Sequence, residues 1–270
     1  MTDTPRAARK PPELLVRAGV GFALAALGFA AVILGHWAFW LLISAMAVIM
    51  IAEWGDLFRA DGRTKYAAAL ILFAPLSVMS PFAWGPGSFS LGILLAAAIF
   101  TGVALRPRVM AAGMLYVGLP VLSLLLIREQ PQFGILYTVW AITLVSMCDI
   151  GAYFTGRLIG GPKLAPVISP NKTWAGLIGG IALASLFAAA LNWQFGLAWR
   201  LTLATPVLGL LAAAGDLFES WLKRRAGMKD SGNVFPGHGG VLDRLDGLVP
   251  VAPVAAFLVV IVPQLYALWR

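Results

Sequence analysis

Residues 197–269 read LAWRLTLATPVLGLLAAAGDLF (Leu197–Phe218), ESWLKRRAGMKDSGNVFPGHGGVLDRLDG (Glu219–Gly247) and LVPVAPVAAFLVVIVPQLYALW (Leu248–Trp269). The two outer runs are apolar and about 20 residues long, enough to cross a hydrocarbon core as helices. The segment between them carries nine charged side chains: Glu219, Lys223, Arg224, Arg225, Lys229, Asp230, Asp243, Arg244 and Asp246. Apolar runs separated by dense charge mark a helical membrane protein whose chemistry is gathered at the water-facing ends. A membrane barrel would instead show short alternating segments, and none is present.

The rest of the chain repeats the pattern. Of 270 residues, 60% are hydrophobic and 12% charged, too few charges to cover a soluble domain of this size. Further spans are expected near Ala18–Leu34, Trp37–Phe58, Tyr66–Trp84, Ser88–Leu105, Val109–Ile127, Phe133–Phe154 and Trp174–Leu191, which gives nine in all. Pro75, Pro81, Pro120 and Pro206 fall inside apolar runs, where membrane helices tolerate them as kinks. With the N-terminus in the cytoplasm, alternation leaves only Arg128, Arg200 and Arg270 of the 20 basic residues on the far side. Trp37, Trp84, Trp174, Trp199 and Trp269 lie near span ends, as in an interfacial aromatic belt.

The expected fold is therefore all-α and polytopic, with about nine transmembrane helices in one membrane domain, 1–270. Residues 1–132 are chemically bland scaffold. Residues 133–270 hold two polar loops, 156–173 and 219–247, on the cytoplasmic face of the inner membrane. The net charge of +8 follows from the basic bias of cytoplasmic loops and does not call for nucleic acid. The basic N-terminus lacks a small-residue cleavage site and reads as leading into a retained first helix. The single cysteine, Cys148, excludes an intramolecular disulfide and a multi-cysteine metal site, and reads as a small core residue.

The polar residues allow more than one reading. Asp149 sits near the end of the sixth span, and Asp216 and Glu219 near the end of the eighth. Asp243 and Asp246 lead into the ninth. Acids in or beside membrane helices face a cavity or a partner. Asp216, Glu219, Ser220 and Lys223 form one stripe if the helix continues, and Asp243 shares a face with Asp246 if the last helix starts early. Two acidic pairs suit Mg²⁺ with room for substrate phosphates. The alternative is structural ion pairing with Lys223, Arg224 or Arg244. Lys172, Lys223, Arg224, Lys229 and Arg244 suit a triphosphate, or else anionic lipid headgroups. The turn Pro236-Gly237-His238-Gly239-Gly240 can turn backbone N–H groups towards a phosphate, or be only a turn, and His238 either moves a proton or simply hydrogen-bonds its loop. No P-loop or dinucleotide fingerprint occurs.

Taken together, Ser220, Lys223-Arg224, Lys229-Asp230, Gly232, Phe235-Pro236, His238-Gly239-Gly240, Asp243-Arg244 and Asp246 match without departure the signature of the phosphatidate cytidylyltransferases, which this chain resembles. A second block adds to the likeness: Asp149, Ala152-Tyr153, Ser169-Pro170, Lys172-Thr173 and Gly176. Ile150 and Ala175 stand where a small polar residue and an acid or amide are expected, and neither removes a charged position. Before Asp149 the likeness rests on hydropathy, with Glu53-Trp54 a faint echo.

The resemblance implies transfer of a cytidylyl group from CTP to phosphatidate, giving CDP-diacylglycerol and pyrophosphate. It implies a catalytic set of Asp216, Asp243, Lys223, Arg244 and Asp246. Ser169, Lys172, Thr173, Ser220, Arg224, Lys229, Asp230, His238, Gly239 and Gly240 would bind substrate, with Thr173 also capping the next helix. Mg²⁺ would be held by Asp216, Asp243, Asp246 and Glu219. A second cation and a homodimer are left open, and membrane lipids are the expected surroundings. The rivals are another CTP-using membrane lipid enzyme, such as a polyprenol kinase or CDP-archaeol synthase, and an ion-coupled transporter. A transporter would place its charges near the midplane, not at one face.

Overall fold

The computed structural model describes residues 13–232, Val234 and 239–268. The order is α1 (Glu13–Leu34), α2 (His36–Leu57), α3 (Gly62–Val78), α4 (Ser88–Ala104), α5 (Met110–Arg128), α6 (Gly134–Leu158), β1 (Lys163–Ala165), β2 (Ser169–Thr173), α7 (Trp174–Phe195) and α8 (Trp199–Ala226). A four-residue turn of helix, α9 (Leu242–Leu245), leads into α10 (Leu248–Ala256), a wide π turn (Phe257–Ile261) and α11 (Val262–Leu268). Pro263, which has no N–H to donate, lies just past the wide turn.

Six helical stretches among the described residues are long and apolar enough to cross a membrane: α2, α5, α6, α7, α8 and Leu248–Leu265. α4 is apolar but shorter, as is the stretch Gly21–Leu34 of α1. An all-α membrane protein is thus what the helices support. The helix at Gly62–Val78 starts earlier than expected because the Asp61 side chain accepts the Thr64 N–H at 3.1 Å. It also ends earlier, and turns fill the stretch to Gly87.

One expected loop is ordered differently. Residues 163–173 form an antiparallel hairpin, with Lys163 opposite Thr173 and Ala165 opposite Ser169. Pro166 and Pro170 favour extended backbone in the residues before them, Ala165 and Ser169. Thr173 then caps α7, its hydroxyl accepting the Gly176 N–H at 3.0 Å, as the sequence predicted. α8 is also longer than the apolar pattern. It runs a further two turns through Lys223-Arg224-Arg225 and stops at Gly227, whose φ of 74° suits a left-handed cap.

Packing is tightest between α6 and α7. A Cβ on Gly180 would stand 2.5 Å from the Cys148 carbonyl oxygen, and one on Gly151 would stand 2.7 Å from that of Gly179. Only glycine permits this approach, the usual way for membrane helices to gain contact when burial of apolar surface drives nothing. Across α6 and α8 the buried Trp140 donates its indole N–H to the Thr205 hydroxyl at 3.1 Å.

Candidate active site

The α6–α7 contact places one wall of a cavity of about 560 Å³, closed by α8 and the β hairpin. That volume suits a ligand of nucleotide or lipid-headgroup size. Its polar lining includes Asp149, Arg157, Asn171, Lys172, Thr173 and Asp216, and its apolar lining includes Leu164, Leu177 and Ile181. Asp149, in the second half of α6, is exposed and lines the cavity.

Lys172 reaches from β2 to Asp216 and forms an ion pair with it. Ser220, one turn on from Asp216, donates its hydroxyl to the same carboxylate at 3.3 Å. Arg157 stands at the rim and donates to the Tyr153 hydroxyl at 2.9 Å.

Asp246 is brought in from the other side. A Cβ at Gly215 would stand 2.4 Å from the Asp246 carbonyl oxygen, so the missing side chain lets the Asp246 turn lie directly on α8. The following Gly247 fits against Val145 and Ala212, and its N–H donates to the Asp246 carboxylate at 2.6 Å. Burial, and then the charges of Asp216 and Asp149, hold the Asp246 carboxyl well above the usual carboxylate range. Three carboxylates, from α6, α8 and the turn before α10, thus come within electrostatic reach of one another; Asp149 and Asp216 line the cavity, and Asp246 lies outside its lining. Arg244 is exposed and within electrostatic reach of Asp149.

Asp243 and Glu219 face elsewhere. Asp243 Oδ1 takes the Lys223 ammonium at 2.6 Å, and Oδ2 accepts the N–H groups of Ser231 and Gly240 at 2.9 and 2.8 Å. Burial alone would raise its carboxyl, but Lys223 and Gly240 outweigh that and hold it below the usual range. Lys223 also stands 3.1 Å from the fully buried Glu219.

The predicted residues therefore divide. Asp216, Lys172 and Thr173 gather at the cavity, with Ser220 beside Asp216 and Asp246 within electrostatic reach of it. Asp243, Lys223, Glu219 and Gly240 make a buried knot next to it. Gly239 has a φ of 79° and lies close to Asp243. Ser169 pairs in the hairpin, and Arg224 donates to the Ile168 carbonyl across it at 3.5 Å. Lys229 and Asp230 are exposed on the loop, and His238 lies outside the described residues. Two acids omitted from the predicted site matter. Asp149 lines the cavity, and Glu53 of α2 grips the loop that carries Asp243. Both carried the same signal, a carboxylate inside an apolar span.

A model of the Cytidylyltransferase family matches residues 15–262. The phosphatidate cytidylyltransferase of Brucella suis biovar 1 (strain 1330) is 50% identical over 145 residues, 53% of this chain and 53% of that protein. Such alignments span about half the length of the relatives concerned. The phosphatidate cytidylyltransferase of Staphylococcus epidermidis (strain ATCC 35984) is 34% identical over 228 residues, 81% of this chain and 78% of that protein. That of Bacillus subtilis (strain 168) is 36% identical over 207 residues, 74% of this chain and 70% of that protein. With a family match that runs through all the helices carrying the cavity and the buried knot, this chain belongs to the cytidylyltransferase family.

Proposed function

We propose that the protein transfers a cytidylyl group from CTP to phosphatidate, yielding CDP-diacylglycerol and pyrophosphate. The observation that carries the reading is the open cavity between apolar helices, lined by Asp149 and Asp216 and served by Lys172, with Asp246 within electrostatic reach of both acids. A phosphate oxygen of phosphatidate attacks the α-phosphorus of CTP, and the bond to the bridging oxygen breaks as pyrophosphate leaves. The attacking oxygen is already anionic near neutral pH, so no strong base is needed. The harder task is to bring anions together and hold them in line. Apolar walls beside a charged end suit a lipid whose headgroup reacts while its chains stay in the bilayer.

Hard carboxylate oxygens that crowd one another fit a divalent cation, and Asp216, Asp246 and Asp149 are the residues we propose to hold Mg²⁺. Among the described residues no three of the acids close into a ready ligand cage, so water and substrate phosphates would have to supply the remaining ligands. When bound, Mg²⁺ neutralises the triphosphate and orients it. Asp243 and Glu219, engaged by Lys223, are left to hold that ammonium and the loop. Lys172, paired with Asp216, would turn to the incoming phosphates, and Asp216 would then be available to hold the ion.

The proposal includes nine spans and a cytoplasmic face for both polar loops, supported by the distribution of basic residues. Single cysteines at Lys163 and Gly227, in a Cys148→Ala background, should react with impermeant thiol reagents only from the cytoplasmic side. For the activity, purified protein is incubated with labelled CTP, Mg²⁺ and phosphatidate in mixed micelles. CDP-diacylglycerol and pyrophosphate should appear together and only when all three are present. A phosphorylated lipid with release of CDP would mark a lipid kinase instead, and absence of any CTP turnover would end the reading.

A further inference from the structure

The helices before Gln132 look inert in the sequence, yet one of their side chains reaches the site. Glu53, near the end of α2, is 4% exposed. Its Oε1 accepts the Val241 N–H at 3.0 Å, and its Oε2 accepts the Leu242 N–H at 2.7 Å and the Ser231 hydroxyl at 3.3 Å. Both strands of the signature loop are thus tied to a single carboxylate on another helix. The next residue, Trp54, donates its indole N–H to the Val109 carbonyl at 3.2 Å, which fixes the end of α2 against the start of α5.

Two glycines of the loop are shaped by the same carboxylate. A Cβ on Gly232 or on Gly240 would stand 2.5 Å from Glu53 Oε1. Their φ angles lie outside the left-handed region, so close approach, not backbone freedom, is what calls for glycine. Asp243 continues the arrangement by accepting the N–H groups of Ser231 and Gly240, while Asp246 follows three residues later, within electrostatic reach of Asp216 and Asp149. Glu53 and Asp243 therefore bracket the same loop from two sides.

We propose that Glu53 is a positioning residue for the reaction: it clamps the signature loop to the N-terminal helices and so fixes Asp243 and, through the turn that follows, Asp246. The activity part of this inference rests on the function proposed above, and the structural part does not. A buried carboxylate with three hydrogen bonds to one loop holds it far more firmly than turn geometry alone. Glutamine keeps the shape but swaps one oxygen for an NH₂ group, which then faces a backbone N–H in either orientation.

The experiment compares wild type with Glu53→Gln, full-length and in lipid nanodiscs, by amide hydrogen exchange and by cytidylyl transfer. Exchange across residues 239–247 should rise about tenfold or more, with α4 and α5 unchanged. The kcat should fall about tenfold or more while KM for CTP stays within about twofold, because geometry is lost and not nucleotide binding. Wild-type exchange and turnover in Glu53→Gln would overturn the proposal, and so would exchange that rises equally through α4 and α5.

A second arm tests the contact itself. Gly232→Ala, whose Cβ would have Glu53 atoms as its three nearest neighbours, should loosen the same loop, and Glu53→Asp, which withdraws the carboxylate by one methylene, should restore part of the room. The double variant should then lose less than the product of the single losses, whereas strictly multiplicative losses would overturn the clamp. If the wild type carries out no cytidylyl transfer, the function proposed above fails, and the exchange arms still decide the role of Glu53.

Discussion

The cavity between α6, α7 and α8 and the knot around Asp243 lie side by side, and both are built from acids and lysines. They differ in how those groups are held. In the cavity, Asp216 has a lysine from a β hairpin and a hydroxyl from its own helix, and open volume in front of it. In the knot, Asp243 has a lysine from α8 and two backbone N–H groups, and Glu219 has no exposed surface. A substrate phosphate can replace a single exchangeable partner. It has no comparable route to a carboxylate bonded to the backbone on one side and to a buried lysine on the other. On the function proposed above, identical residue types would serve binding in one place and rigidity in the other, with solvent access separating the two roles.

The sharpest way to break this contrast is to remove charge from the open side. Asp216→Asn and Asp246→Asn should each lower kcat by about a thousandfold, roughly 4 kcal/mol, with an unchanged thermal midpoint in detergent. If stability falls in step with activity, the cavity acids are structural. The converse change is Lys223→Met, which strands Glu219 and Asp243 without their cation. It should cost about 3 kcal/mol of stability, read as a lower thermal midpoint. Adding Glu219→Gln and Asp243→Asn to Lys223→Met should restore the midpoint, because no buried charge is then left unpaired. A midpoint that stays low would show the knot to depend on more than charge balance.

Lys172→Ala sharpens the comparison at a smaller scale. Its partner Asp216 remains solvated through the cavity, so stability should hold while kcat/KM for CTP falls about tenfold to a hundredfold. Arg225→Ala is the smallest change. Arg225 lies 5.5 Å from the Trp221 ring centroid on the exposed side of α8, a contact worth less than about 1 kcal/mol. Kinetics should be unchanged, and a loss equal to that of Lys172→Ala would mean that only bulk positive charge matters.

Much of the fold was legible because the bilayer forces each span to satisfy its own backbone. Long apolar runs such as Met110–Arg128 and Trp174–Phe195 must then be helices wherever they pack. The Thr173 cap was legible for a similar reason, since it joins atoms only three residues apart. Less was visible where charge continued a helix. The apolar pattern of α8 stops near Phe218, but the helix continues to Ala226, where Lys223 remains in register with Glu219. The hairpin was hidden as well, since a polar stretch with two prolines gives no periodicity to read.

The sequence alone determined a set of membrane helices and the short-range signature that marks the family. Those depend on composition and on spacings within a turn or a loop. The tertiary structure decided which acid does what. Glu53 and Leu242 are 189 residues apart and share a hydrogen bond, while Asp243 and Asp246 are neighbours in sequence yet turn towards different surroundings. A carboxylate carries the same charge wherever it occurs. Whether it holds a loop or meets a substrate depends on which backbone amides, lysines and open space the folded chain brings to it.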